Sequence, residues 1–279
     1  MEQQNFSSAP FKFLFMAEKS TIQWTDNTVN FWRGCQKVSP GCKYCYMYRN
    51  QSYHGIDPKK ITRSSDNTFY QALKWKEPKR VFTNSLSDFF LIEADEWRSD
   101  AWKVIEASPQ HEWQILTKRP ELVMDRLPEN WGEGWNQVIL GVSVENQDYF
   151  YRAHELSLIP SKRRFLSIEP LIGPINILTT IEGSRPIDSI DWVIIGGESG
   201  NDFGDYRYRK CEIEWIEKII EDLKAEAPHV KIFVKQLGTY QAKQLNLKDR
   251  HAGEIDEWPT KLDYIKFREF ADSILTGIS

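Results

Sequence analysis

Six short apolar runs punctuate the chain, each followed by a polar stretch and then by apolar residues at helical spacing. They are "RVFTN" (80–84), "WQILTK" (113–118), "QVILGVSVE" (137–145), "RRFLSIEP" (163–170), "DWVIIGGE" (191–198) and "KIFVKQ" (231–236). Three to five consecutive apolar or β-branched residues in each predict parallel strands buried on both faces. "NTVNFWRG" (27–34) predicts a further strand ahead of them. Helical patterns fill the gaps. In 211–226, Ile216, Ile219, Ile220 and Leu223 fall on one helix face; Trp97, Ala101, Val104 and Ile105 do so in 92–107, and Tyr149, Phe150, Ala153 and Leu156 in 146–158. Regular strand–helix alternation predicts an α/β fold, a partial (β/α)6–7 TIM-like barrel over residues 17–240, with a doubly wound open sheet as the alternative. From about Gln241 the pattern changes. Residues 241–279 are polar, carry "WP" at 258–259 and a short helical pattern at 263–273, and are expected to cap the barrel. Residues 1–16 are expected to be a flexible leader, with patterned sequence beginning just after Met16.

Side chains alternate along a strand, so Ser143 and Glu145 share one side, as do Ser167 and Glu169. Val142, Val144 and Ile168 then face the helices. "Gly196-Gly197-Glu198" ends another strand. In a parallel barrel the C-terminal strand ends form the functional face, which gathers Glu145, Glu169 and Glu198 at one mouth. Acids capping the helices that follow are the structural alternative.

Cysteine usage adds chemistry to this frame. Three of the four cysteines, Cys35, Cys42 and Cys45, lie in "GCQKVSPGCKYCYMY" (34–48) with C-x6-C-x2-C spacing. Four thiols in 279 residues are too few for a disulfide scaffold. The apolar run "FKFLFM" (11–16) is too short to span a bilayer or to serve as a signal peptide. A reducing, cytoplasmic setting with no membrane and a bound metal is therefore expected. A structural zinc closes with four ligands, the fourth here being His54, Cys211 or His111. An iron–sulfur cluster is the other thiolate-rich choice, and three cysteines on a four-iron cluster leave one iron open. Gly34, Pro40 and Gly41 let the loop wrap closely, among Tyr44, Tyr46 and Tyr48.

The composition is that of a globular protein, and the net charge of −4 argues against a generally basic nucleic-acid coat. Local basic clusters remain at Lys59-Lys60-Arg63, Lys162-Arg163-Arg164 and Arg207-Arg209-Lys210, the last near Tyr206 and Tyr208. Such a mixture suits nucleic acid; solvated helix ends account for it equally.

An early three-cysteine loop with an aromatic before its last cysteine, followed by a parallel partial barrel, resembles the radical SAM superfamily. The familiar spacing there is C-x3-C-x2-C, and this chain has three more residues in the first gap. The set "IQWTDNTVNFWRGCQKVSPGCKYCY", "ILTKRP", "GVSVEN", "RFLSIEPL", "IIGGESG", "VKQLG" and "EWP", covering nearly all of 20–270, is similar to a phage-associated three-cysteine-motif family of unknown function within that superfamily. "TNSLSD" and "LTK" are faintly similar to strand ends of spore photoproduct lyase, a radical SAM DNA-repair enzyme.

The resemblance implies a [4Fe-4S] cluster on Cys35, Cys42 and Cys45 and S-adenosyl-L-methionine on the open iron, cleaved reductively to a 5′-deoxyadenosyl radical. It implies the methionine amino group at Asn84, Ser85 and Ser87, the methionine carboxylate at Lys118, ribose hydroxyls at Ser143 and Glu145, and adenine against Gly196 and Gly197. Glu169, Glu198, Lys235 and Gln236 remain for a substrate, with nucleic acid or nucleotide modification or repair among the candidate activities. An electron donor such as flavodoxin or ferredoxin, and a three-Cys-motif partner protein, are the implied partners. A zinc-stabilised, non-catalytic binding protein, with nucleic acid as a candidate ligand, is the alternative.

Overall fold

A computed structural model describes residues 20–273. Seven parallel strands lie side by side in chain order: β1 (Asn27–Val29), β4 (Arg80–Thr83), β5 (Glu112–Thr117), β6 (Val138–Ser143), β7 (Arg164–Ile168), β8 (Trp192–Gly196) and β9 (Lys231–Gln236). Two short strands, β2 (Trp32–Arg33) and β3 (Thr62–Arg63), pair antiparallel beside them. The segment predicted as one strand over 27–34 is thus split, with β1 in the main sheet and β2 in the ribbon. Helices α1 (Tyr46–Tyr53), α2 (Asp66–Phe69), α3 (Asp95–Glu106), α4 (Tyr151–Leu158), α5 (Ile213–Glu226) and α6 (Gly238–Gln244) complete the structure. It is a partial α/β barrel, as the strand–helix alternation predicts.

Burial on both faces explains the near-continuous apolar strands. Leu140, Val142, Leu166, Val193, Ile195 and Val234 pack outward against the helices. Ile139, Phe165, Ile194 and Phe233 point into the concave side. Trp24, just before β1, meets Phe82 of β4 with centroids 4.6 Å apart and also reaches Trp192 of β8 at 6.1 Å. One ring touching strands from both halves of the sheet shows how far the sheet curls. Gly141 faces inward, and a Cβ there would lie 2.3 Å from the Phe165 ring, so glycine lets that ring fill the interior. On α5, Ile216, Ile219, Ile220 and Leu223 are buried together, worth roughly 1.5–3 kcal/mol each.

The tail departs from expectation. The pattern at 263–273 predicts a helix, but the structure has a 3-10 helix at Thr260–Ile265 followed by an extended segment. There the backbone finds partners on β9 instead of within itself: Val234 N–H donates to the Phe267 carbonyl and Glu269 N–H to the Ile232 carbonyl, both at 2.9 Å. This covers an otherwise open sheet edge. Arg268 then bridges to Gln23, ahead of β1, at 2.9 Å. The expected leader, 1–16, lies outside the described residues. Among the described residues no helix is long and apolar enough to cross a membrane.

Candidate metal centre at the mouth of the half-barrel

The cysteine loop begins where β2 ends. Gly34 has φ +91, and a Cβ there would sit 2.3 Å from the Lys60 carbonyl oxygen, so only glycine fits. Its N–H donates to Leu86 O, and that of Cys35 donates to Pro58 O. Pro40–Cys42 forms a 3-10 turn, and Cys45 caps the N-terminus of α1. All three thiols are free. Burial pushes the Cys35 thiol up to about 12, with Asp88 adding to the effect and Arg119 opposing it. Burial also raises Cys45, while backbone N–H groups of Met47 and Tyr48 work against it. Each of these two thiols also feels the charge of Cys42. Burial, with a lesser contribution from repulsion between thiolates, keeps Cys35 and Cys45 protonated, whereas a cationic metal centre would stabilise its ligands as thiolates and release protons.

Three thiolates suit either a zinc completed by a fourth protein ligand or an iron–sulfur cluster with one iron open. Among the described residues no three Cys, His, Asp or Glu side chains are already gathered as a group that could hold a metal ion. A four-iron cluster takes its thiolates at separate corners. The candidate fourth ligands lie elsewhere. His54 ends α1, about 12 Å of helix from Cys45 at its start. His111 precedes β5, at the opposite end of the sheet, with Nε2 3.3 Å from Ala72 O. Cys211 is buried just ahead of α5, its carbonyl accepting from Gln241.

Three clasps hold the loop on the mouth, and each uses a carboxylate at a strand end. Asp88 accepts from Thr117 Oγ1 at 2.8 Å, from the N–H groups of Lys118 and Phe90, and from Arg119 at 3.0 Å. Arg119 in turn donates to Gln36 O at 2.7 Å and lies 4.0 Å from Cys35 Sγ. Glu145 is fully buried: Oε2 accepts from Arg152 at 3.0 Å, and Oε1 takes the Ser39 hydroxyl with Lys118 Nζ 3.7 Å away. A Cβ on Gly41 would lie 2.4 Å from this carboxylate, so the Pro40-Gly41 turn seats directly on it. Glu198 pairs with Arg209, whose Nη1 donates to Pro40 O at 3.0 Å.

The remaining predicted residues reach the same mouth, several with protein partners. Asn84 has φ 56 and accepts the Phe31 N–H on Oδ1, which leaves its buried Nδ2 without a partner. Ser85 bonds the Asn30 side chain and Ser87 the Gly34 carbonyl. Ser143 pairs in register with Ser167. Lys235 is 2.9 Å from Glu169, and Gln236 donates to Gly197 O. Gly196 and Gly197 do allow close approach, but of protein: a Cβ would lie 2.4 Å from Glu169 Oε1 at the first and 2.2 Å from Leu237 O at the second. Glu145 and Glu198, expected for ribose and substrate, are engaged in holding the loop.

Sequence reasoning misses Asp88, Arg119, Arg152 and Ser39, and it reads Arg209 as part of a basic cluster for nucleic acid, whereas the structure pairs it with Glu198. Asp88 closes "TNSLSD" and Arg119 follows Lys118 in "ILTKRP", so strand-end position was a usable signal for both. Arg152 sits on α4, and nothing local marks it.

A family model for proteins of unknown function, DUF5131, matches residues 19–261. The chain belongs to that family. No curated protein matches the sequence. Among solved structures, a single mutant of spore photoproduct lyase is similar at TM-score 0.44 and 14% identity, over 74% of this chain and 75% of that one. A double mutant of the same lyase, with bound AdoMet and dinucleoside spore photoproduct, is similar at TM-score 0.39 and 16% identity, over 71% of this chain and 61% of that one.

Proposed function

We propose that this DUF5131 protein is a radical SAM enzyme. The observation that supports it is a single loop of three free thiols, clasped over the C-terminal mouth of a parallel half-barrel, with His54, His111 and Cys211 held elsewhere. Cys35, Cys42 and Cys45 would hold a [4Fe-4S] cluster. With S-adenosylmethionine bound, such a cluster would supply the electron for reductive cleavage of that cofactor to a 5′-deoxyadenosyl radical. The protein's residues position and enclose these groups. The orphan amide of Asn84 is a donor, because its Oδ1 is fixed by the Phe31 N–H. It suits the methionine carboxylate better than the ammonium group. Ser85, Ser87, Lys118 and Ser143 line the same rim. Glu145 acts through the loop, with both oxygens already engaged. The Glu169–Lys235 pair keeps some exposure on both partners, 15% and 25%, and is placed to meet a substrate. Electrons would come from a flavodoxin or ferredoxin.

Anaerobic reconstitution with iron and sulfide tests this reading. The expected product is brown protein with about four irons per chain, bleached by dithionite. Colourless protein holding one zinc per chain would overturn it.

A further inference from the structure

The rim of the mouth carries a feature that the thiols do not use. Residues 35–60 contain five cations, Lys37, Lys43, Arg49, Lys59 and Lys60, against one carboxylate, Asp57. The segment is +4 (5 − 1), so the rest of a chain with net charge −4 carries −8. None of the five forms an ion pair among the described residues. All are exposed except Arg49, which is half-buried. Across the mouth four cations are matched, Arg209 with Glu198, Lys210 with Glu212, Lys235 with Glu169 and Lys243 with Asp202, while Arg207 and Arg250 form no ion pair among the described residues. The net positive excess lies on the cysteine side, since residues 198–212 hold three cations against four carboxylates.

The same rim holds the two most exposed large apolar side chains among the described residues, Tyr53 at 85% and Phe203 at 86%. They sit on segments far apart in sequence that meet where Ser52 Oγ and the Tyr206 hydroxyl hydrogen-bond at 2.9 Å. Two open rings, one of them within the cationic segment and the other on the segment that meets it, match the needs of a flexible polyanion with flat faces. An acidic protein would use the charges and leave the rings wet, and a duplex hides its base faces.

We propose that this rim binds single-stranded nucleic acid, with phosphates on Lys43, Arg49, Lys59 and Lys60 and bases stacked on Tyr53 and Phe203. That the strand is also the substrate rests on the radical SAM reading; its binding does not. The test is fluorescence anisotropy with a labelled oligothymidylate of roughly a dozen nucleotides, titrated at several salt concentrations into reconstituted and cluster-free protein. The expected log–log salt slope is about −3, from four cations. Tyr53→Ala with Phe203→Ala should weaken binding roughly 10-fold or more with the slope unchanged. Lys59→Ala with Lys60→Ala should lessen the slope by about 1.4. Absence of binding at low salt, equal affinity for a duplex, or indifference to loss of both rings would overturn the proposal. Oligonucleotide binding without cofactor cleavage would leave the rim standing and remove the chemistry; cleavage without binding would do the reverse.

Discussion

A carboxylate with no exposed surface is costly unless donors surround it, and Glu145 meets that demand with Arg152, Lys118 and Ser39. Strand alternation was enough to place Ser143 and Glu145 on the inner side of β6. It was silent on the partners, because Arg152 arrives from α4 and Ser39 from a loop whose course depends on tertiary docking. The thiols divide in the same way. Cys42→Ala should abolish cluster binding, since two thiolates hold a four-iron cluster poorly, while Cys211→Ala should leave the iron content unchanged. Cys211 is only 1% exposed, and burial pushes its thiol up to about 12, so it stays protonated at pH 8 and out of reach of reagents. Folded protein should therefore resist iodoacetamide at Cys211, as read by mass spectrometry. Its pKa lies above the unfolded value of 9.0, so burial of the neutral thiol stabilises the fold fully below about pH 9. That contribution is lost as pH rises toward 12. Rapid labelling at pH 8, or iron loss in Cys211→Ala to match Cys42→Ala, would contradict this assignment.

The elements were the most legible part of the chain. Runs such as "KIFVKQ" and the Ile216–Leu223 face carry their periodicity locally, and β9 and α5 follow them closely. The cysteine loop was legible as a turn but not as a clasped element. Residues 39–41, inside the long gap between Cys35 and Cys42, are the part seated on Glu145 and Arg209. The gap thus serves as an attachment and not only as slack. Ser39→Ala removes one charge-assisted hydrogen bond, worth about 1.5–3 kcal/mol, while Arg152 keeps Glu145 paired. Amide exchange across 34–45 should rise roughly 10- to 100-fold, with the barrel strands unaffected. Unchanged exchange in that loop would show that Ser39 holds nothing. The 263–273 segment was misread because its backbone partners lie on β9, and no local pattern reports an edge strand waiting to be covered.

At the scale of the whole molecule, chain-order parallel strands bring every strand end to one mouth, and that geometry made a dispersed set of residues readable as one site. The split of charge between the cysteine segment and the rest of the chain was only partly visible in sequence. Of the clusters noted there, Arg63, Arg163, Arg209 and Lys210 are paired in the structure, Lys59 and Lys60 are among the unpaired cations of the rim, and Lys37, Lys43 and Arg49 were not marked. The central claim is that the fourth coordination position at the thiol loop belongs to a cofactor. The most direct measurement is chromatography of reduced, iron-loaded protein incubated with S-adenosylmethionine. The account predicts release of 5′-deoxyadenosine and methionine, even slowly and without substrate, and its loss in Cys45→Ala. Fully iron-loaded protein that neither binds the cofactor nor releases 5′-deoxyadenosine would contradict it.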